Sequence, residues 1–122
     1  MKPQTGLIAM VAFVCALALS SCHSYRIDAV VENRTGSAIE LLEVDYPSAS
    51  FGSDRLSANA EFRYRFQVRG SGPIKVQYTD AASHATHQIS GPDIAEHQEG
   101  RIEIILLPAG KAEFHPDLTS HS

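Results

Sequence analysis

Apolar and polar residues alternate with a period of two along the middle of the chain. Between residues 61 and 69 every even position is apolar and every odd position is polar, and the same phase returns at 74–79. This period is typical of strands with one face on a core and the other in water. The breaker cluster 70–73 separates the two segments, which predicts a β-hairpin. Because opposed residues must share a face, we expect its loop at 71–73 or 69–73.

An earlier pair of segments, 25–32 and 38–46, flanks the turn sequence Asn33-Arg34-Thr35-Gly36 and predicts a second hairpin. The turn also contains a glycosylation sequon, which we interpret as turn chemistry. In 38–46 the apolar positions change from odd to even numbers after Leu41. Such a change of phase within one strand predicts a β-bulge, or a strand that moves between sheets.

Shorter segments complete the predicted strands. We expect an edge strand at 50–56, further strands at 85–90, 101–107 and 111–114, and a disordered tail at 116–122. The continuous apolar end of 101–107 is typical of burial on both faces. No long segment has helical period. The pattern predicts an all-β fold: a single antiparallel, immunoglobulin-like β-sandwich of about seven strands over residues 25–115.

The longest apolar run lies at residues 7–19, after a short and weakly positive start. It contains 13 residues, whereas a helix that spans a bilayer needs about 20. The apolar region of a secretory signal is about 7–15 residues long and is followed by small residues at the cleavage site. Residues 1–21 are therefore predicted to be a signal peptide that is removed.

The signal ends in Leu19-Ser20-Ser21-Cys22, which resembles the lipobox of bacterial lipoproteins. The resemblance implies attachment of diacylglycerol to Cys22 and cleavage between Ser21 and Cys22. It also implies that the new N-terminus receives a fatty acyl chain such as palmitate. His23 follows in place of the Asp that favours inner-membrane retention, so we expect the outer membrane, facing the periplasm. Residues 22–24 form only a short tether, and the domain is expected to sit against the membrane surface.

Three further stretches carry a second resemblance. The sequences VENRTGSAIELLEVDYPSASFG, GPIKVQYTD and GRIEIIL look like those of small bacterial lipoproteins that have one β-sandwich domain and no assigned activity. They consist mostly of turn and strand signals, so the resemblance implies a fold and not a reaction.

Composition narrows the possible chemistry. Without residues 1–21 the chain has nine Lys and Arg residues, since Lys2 leaves with the signal, against 14 Asp and Glu, a net charge of −5. This balance argues against nucleic acid as a partner. Cys15 lies in the signal and Cys22 is predicted to carry lipid, so the domain has no thiol for a disulfide, a zinc site or a nucleophile.

Four basic residues, Arg63, Arg65, Arg69 and Lys75, share one face of the first predicted hairpin. One hypothesis is a stripe that contacts anionic lipid headgroups or an acidic partner. The alternative, which we favour, is a solvated strand face neutralised by acidic residues on neighbouring strands. The acidic residues available for that role are Glu61, Glu103 and Glu40.

Histidine supplies the weak candidates for a metal site. His84 and His87 are close in sequence, whereas His97 and His115 would join them only if folding brought them near. Positions three apart on a strand point to opposite faces. We therefore favour exposed loop histidines and predict no metal or other cofactor. In the loop 46–53, Tyr46 and Phe51 flank small polar residues; we interpret them as core caps in preference to a binding platform.

Catalytic motifs are missing from the sequence. We predict a membrane-anchored envelope lipoprotein that is not an enzyme and acts as a binding or structural interaction module. Its expected partners are the membrane, through Cys22, and an envelope protein docked by strand addition at an exposed sheet edge. The alternative is a periplasmic sensor or accessory protein that binds a metal or small ligand through its histidines.

Overall fold

The computed structural model describes residues 23–121. The predicted signal peptide (1–21) and the predicted lipid site at Cys22 lie outside the described residues. Within the described range the chain forms eight strands and one short 3-10 turn, Pro108–Gly110. The strands are β1 (Ile27–Asn33), β2 (Ile39–Tyr46), β3 (Ala49–Leu56), β4 (Glu61–Phe66), β5 (Ser71–Asp80), β6 (Thr86–Ala95), β7 (Gln98–Leu107) and β8 (Lys111–Ser120).

The strands form two four-stranded sheets. The first sheet has the order β4-β1-β7-β8 and the second has the order β3-β2-β5-β6. The all-β prediction is confirmed. Neighbouring strands are antiparallel except for β1 and β7, which run parallel. The first sheet is therefore mixed, whereas the sequence predicts purely antiparallel sheets.

One apolar core lies between the two sheets. Along β1, β5 and β7 its members alternate with residues that face outward, as is typical of strands with one face on a core. Seventeen buried residues form this core: Ile27, Ala29, Val31, Ile39, Leu42, Val44, Phe51, Leu56, Phe66, Val68, Ile74, Val76, Tyr78, Ile94, Ile102, Ile104 and Leu106.

Both predicted hairpins are wrong. β1 pairs with β4 and β7, and β2 pairs with β3 and β5, so the turn after β1 carries the chain from one sheet to the other. The chain crosses again between β4 and β5, where Val68 is buried beyond the end of β4. Alternation shows which side chains face the core, but it does not show which strand is the neighbour. The expected loop lengths at 71–73 or 69–73 therefore do not apply.

The predicted irregularity in β2 is confirmed as a β-bulge. The pairing of β2 with β5 shifts between Glu40 and Glu43, so that Leu41 and Leu42 together oppose Tyr78. Leu41 has a φ of 52° and is 65% exposed. The bulge turns Leu41 outward and returns Leu42 to the core, which accounts for the change of apolar phase.

A second bulge, which the pattern did not reveal, lies in β6. Gly91 and Pro92 together oppose Ile74 on β5. A Cβ atom on Gly91 would lie 2.6 Å from the ring of Phe114 on β8. This close approach packs the edge of one sheet against the edge of the other.

Several predicted boundaries change. β3 is an edge strand, as predicted, whereas β6 and β8 are longer than predicted. The disordered tail predicted from residue 116 is wrong, because β8 continues to Ser120 and pairs with β7. Burial on both faces of 101–107 is also wrong: Ile105 and Leu107 on the outward face are only half-buried.

Candidate functional site

The four residues of the predicted basic stripe do not share one face. Arg63 and Arg65 lie on the outward face of β4, in the first sheet. Arg69 follows β4 in the connection to β5, and Lys75 lies on β5 in the second sheet. The stripe is therefore wrong, because it depended on a hairpin between β4 and β5 that does not form.

Charges of both signs alternate across the outward face of the first sheet. One register row runs Arg65, Asp28, Arg101 and Asp117 across all four strands. Nε of Arg65 donates to Oδ1 of Asp28 at 2.8 Å. This contact is the main cause that raises the pKa of Arg65, through its hydrogen bond and its charge. Water and salt screen exposed pairs of this kind, so each contributes little to stability.

The acidic residues predicted to neutralise this stripe are only partly placed as expected. Glu61 accepts a hydrogen bond from Arg63 at 3.1 Å on the same strand. Glu103 instead pairs with Arg101, and Glu40 pairs with Arg55 in the other sheet. The outward face is thus a largely paired ladder of charges.

A shallow depression on this face is lined by Asp28, Arg63, Arg65 and Arg101 around Val30. Val30 points outward yet is only 2% exposed. Arginine stems can cover apolar surface while their charged heads stay in water. Two of the charged side chains that line the depression, Arg65 and Asp28, already pair with each other. They therefore offer no unpaired charge to a ligand.

The histidines proposed as metal candidates are placed separately. His84 lies in the turn between β5 and β6 with a φ of 62°. The His87 ring packs 5.4 Å from the ring of Tyr78 and lies against Gly110. His115 lies on β8, with Nε2 3.2 Å from Glu113 Oε2. Among residues 23–121, no group of three His, Cys, Asp or Glu side chains is arranged to hold a metal ion.

Asp80 organises the turn that carries His84. Its Oδ1 accepts hydrogen bonds from the backbone N–H groups of Ala82 and Ser83 at 2.8 and 2.9 Å, and its Oδ2 accepts from Ser37 Oγ at 2.9 Å. The bond from Ser83, followed by that from Ser37, lowers the pKa of Asp80. These bonds favour the ionised carboxylate, so Asp80 contributes to stability only while it is charged.

The Asp80→Asn substitution is expected to lower stability near neutral pH, with a difference from the parent that narrows in acid. The folded-state pKa lies below the unfolded value of about 3.9, so the contribution is complete above about pH 4 and is lost as pH falls through the folded-state pKa. Urea unfolding from about pH 6 to about pH 2 measures this narrowing. Ser37→Ala removes only one of the hydrogen-bond donors to Asp80. Its stability difference from the parent is therefore expected to narrow less in acid than that of Asp80→Asn. A difference that stays constant with pH would contradict this role for Asp80.

A cluster that the sequence did not predict lies at the end of the sandwich where β1 begins. We call it the histidine end, and define it by His23, Tyr25, His97, Glu99 and His121. The ring centroid of Tyr25 is 4.5 Å from that of His23, 5.3 Å from that of His97 and 5.1 Å from that of His121. Three segments that are distant in sequence therefore meet around one tyrosine.

Glu99 bridges two of these histidines. Its Oε2 lies 3.1 Å from His23 Nε2, and its Oε1 lies 2.8 Å from His121 Nε2. The first contact is an aligned hydrogen bond; the second has ion-pair distance without hydrogen-bond alignment, and that Nε2 atom is buried. The backbone N–H of His121 also donates to the carbonyl of His97 at 2.9 Å. The carboxylate is thus placed to pair with two imidazolium groups.

Sequence reasoning missed this cluster for a specific reason. The sequence pattern predicts a tether at His23 and a disordered tail at His121, and it relates His97 only to the pair His84 and His87. The register of β7 with β8 brings Gln98 opposite Ser120, which places His121 beside the β6–β7 turn, and the pairing of β1 with β7 places residues 23–25 there as well. The only available signal is the presence of histidines at positions 23 and 121, near the two ends of the predicted domain.

The predicted loop 46–53 is wrong, because Tyr46 ends β2 and Phe51 lies on β3, with only residues 47 and 48 between the two strands. Both aromatic residues are core caps, as predicted. The Tyr46 ring centroid lies 4.4 Å from that of Phe66, and the Phe51 centroid lies 4.6 Å from that of Tyr64. Phe51 is 7% exposed. Burial and the neighbouring Tyr64 raise the pKa of Tyr46. These rings close the side of the sandwich between β3 and β4 and do not form an open platform.

Comparisons with known proteins give no relatives. No family model, no curated protein and no solved structure matches this chain. Within residues 23–121, no helix has the length and apolar character needed to cross a bilayer.

Proposed function

We propose that this protein is a lipid-anchored component of the bacterial cell envelope whose single domain is a non-enzymatic binding or structural interaction module. The observation that carries the proposal is the lipobox-like Leu19-Ser20-Ser21-Cys22, directly followed by a folded domain. β1 begins at Ile27, and His23 already contacts Glu99. An acyl anchor on Cys22 would hold the sandwich at the surface of a membrane, and the residue after it favours the outer one, facing the periplasm.

We further infer an immunoglobulin-like arrangement for strands β1 to β6. The pairs β1–β4, β2–β5 and β5–β6 match the B–E, C–F and F–G pairs of that fold, with β3 in the position of C′. The place beside β1 that strand A would occupy is filled by β7, which runs parallel to β1. This arrangement supports a binding module, since such sandwiches present loops and edges on a rigid core.

The edge strand β3 supports docking of an envelope partner by strand addition. Proline within an edge strand blocks pairing with another chain, and the edge strands β6 and β8 contain Pro92 and Pro116. The fourth edge strand, β4, also lacks proline, but it is only six residues long and carries the charged side chains of Arg63 and Arg65, which protect an edge against pairing. β3 contains no proline over its eight residues, and Leu41 is exposed on the strand beside it. Backbone pairing along β3, with Leu41 as an apolar contact, is the mode of recognition that we propose.

Metabolic labelling with a palmitate analogue tests the lipid anchor. The parent protein is expected to carry the label, to fractionate with membranes and to begin at an acylated Cys22 in mass spectrometry. Cys22→Ala is expected to lose the label completely, because it lacks the thiol that accepts the lipid. Cys15→Ala is the matched control and is expected to keep both label and fractionation. Label retained by Cys22→Ala, or a parent chain without lipid, would contradict the proposal.

A further inference from the structure

The histidine end is the part of the described domain from which the chain leads to the proposed anchor. His23 is the residue directly after Cys22, so their Cα atoms are about 3.8 Å apart. His23 is itself held by Glu99 at 3.1 Å. Whatever surface holds Cys22 therefore lies within a few ångströms of this end of the sandwich. The opposite end, where Asp80 and Asn33 lie, faces away from it.

The net charge at this end rises from zero to a positive value as its histidines gain protons. Among residues 23–121, the charged groups next to its three histidines are Arg26, Arg69, Glu96 and Glu99. Oε1 of Glu96 accepts a hydrogen bond from Gly70 N at 2.6 Å, next to Arg69. The carbonyl of Arg26 accepts from Gly100 N at 3.2 Å. With neutral histidines the two arginines balance the two glutamates; with protonated histidines the end carries a net charge of three positive units.

The charged row Arg65, Asp28, Arg101 and Asp117 borders this end and carries two charges of each sign. Asp28 and Arg65 line one shallow groove together with Arg26 and Glu99, and they neutralise each other at 2.8 Å. The remainder of the mature chain is strongly acidic, with a net charge of −5 when all histidines are neutral. The histidine end is thus the part of the surface where acid produces a local positive patch on an otherwise negative protein.

We infer that the histidine end is a docking surface for the anionic headgroups of the bilayer leaflet that holds the anchor, and that it engages them as histidine gains its proton. Histidine changes charge between about pH 5 and pH 8. Each cation held at an anionic lipid surface strengthens binding by roughly fivefold. Tyr25, half-buried among the imidazoles, places an amphipathic ring at the depth where headgroups meet protein. In acid the sandwich then lies end-on against the bilayer; near neutral pH it is held by its tether alone.

The inference rests on the proposed lipid anchor, but its test does not need the lipid. The mature chain with Cys22→Ser is titrated with phosphatidylcholine vesicles that contain phosphatidylglycerol, at about pH 5.5 and about pH 7.5. Binding is expected to be about tenfold tighter in acid, since Glu99 offsets part of the gain. Vesicles of phosphatidylcholine alone are expected to show no such gain. A parent protein that carries no acyl label in cells would refute the anchor. A Cys22→Ser chain that binds these vesicles equally at both pH values would refute the docking surface.

Two matched double variants locate the response. His97→Asn with His121→Gln removes two imidazoles from the histidine end. His84→Asn with His115→Gln removes two elsewhere, and each pair contains one residue at a positive φ and one beside a glutamate. The first pair is expected to reduce the tenfold gain to about twofold, and the second to leave it unchanged. If both double variants lost the same part of the tenfold gain in binding, the response would depend on the total charge of the protein and not on the histidine end. That result would overturn the inference.

A measurement without variants covers the case in which a substitution disturbs the fold. Lipids with a nitroxide in the headgroup broaden the NMR signals of nearby backbone groups. In acid we expect the β6–β7 turn, which includes His97, to broaden more than the β5–β6 turn, which includes His84, at the opposite end. Stronger broadening at the β5–β6 turn, or none at either turn, would overturn the inference.

Discussion

Replacing Asn33 with alanine is expected to lower the free energy of unfolding by about 3 kcal/mol, the sum of several buried groups that each cost about 1–3 kcal/mol when unpaired. The Asn33 side chain is completely buried. Its Nδ2 donates to the carbonyls of Ser37, Leu56 and Ser57 at 2.8, 3.1 and 3.1 Å. Its Oδ1 accepts from the backbone N–H of Thr35 at 3.1 Å and from Thr35 Oγ1 at 2.7 Å.

These contacts join the crossing between the two sheets to the end of β3. Alanine would leave three carbonyls and one N–H without this partner in a place that water reaches poorly. For a domain of about 100 residues, the expected loss corresponds to a melting temperature lower by about 15 °C. Thermal and urea unfolding followed by circular dichroism measure the change.

Two further substitutions separate hydrogen bonding from loss of volume. Asn33→Asp keeps the shape but turns the donor into a carboxylate facing three carbonyls, so we expect it to be less stable than the alanine variant near neutral pH and to recover in acid. Asn59→Gly is the matched control at an exposed site with a φ of 65°, where glycine fits. We expect a change within about 0.5 kcal/mol for it. An alanine variant at Asn33 as stable as this control would contradict the role described.

Asn33 also shows where local patterns stop being informative. The sequence NRTG predicts a turn, and there is a turn. What the pattern does not show is that the turn changes sheet, because this depends on carbonyls of residues 56 and 57, more than twenty positions away. Period-two alternation predicts the core faces of β4 and β5, since each strand has its own inward side. Strand partners depend on contacts between distant segments, so both predicted hairpins were wrong.

The candidate sites follow the same division. The bulge at Leu41 could be predicted because the apolar phase changes within one strand. The predicted basic stripe is wrong, because Arg63 and Lys75 belong to different sheets. Alternation alone does not show which sheet a strand joins. The histidine end depends on the pairing of β7 with β8, which runs to the last described residues. A tail of polar residues after a proline has no apolar pattern of its own, although its backbone completes a sheet.

Gly100→Ala is expected to detach the end of β8 and to lower the free energy of unfolding by about 3 kcal/mol, from backbone strain together with lost strand pairing. Gly100 has a φ of 135°, and a Cβ atom there would lie 2.2 Å from the carbonyl oxygen of Asp117. The obstacle is backbone, so no change of rotamer relieves it. β8 would have to move away from β7 at the pair formed by Gly100 and Leu118.

Gly36→Ala is the matched control for this substitution. Gly36 also has a positive φ, of 95°, but a Cβ atom there meets nothing within 4 Å. Gly36→Ala is therefore expected to lower the free energy of unfolding by the backbone strain alone, about 1–2 kcal/mol. Hydrogen exchange distinguishes the two cases: Gly100→Ala is expected to lose amide protection at residues 117–120, whereas Gly36→Ala keeps it. Protection retained there in Gly100→Ala would mean that β8 absorbs the added methyl group, and that the pairing which assembles the histidine end does not require glycine at this position.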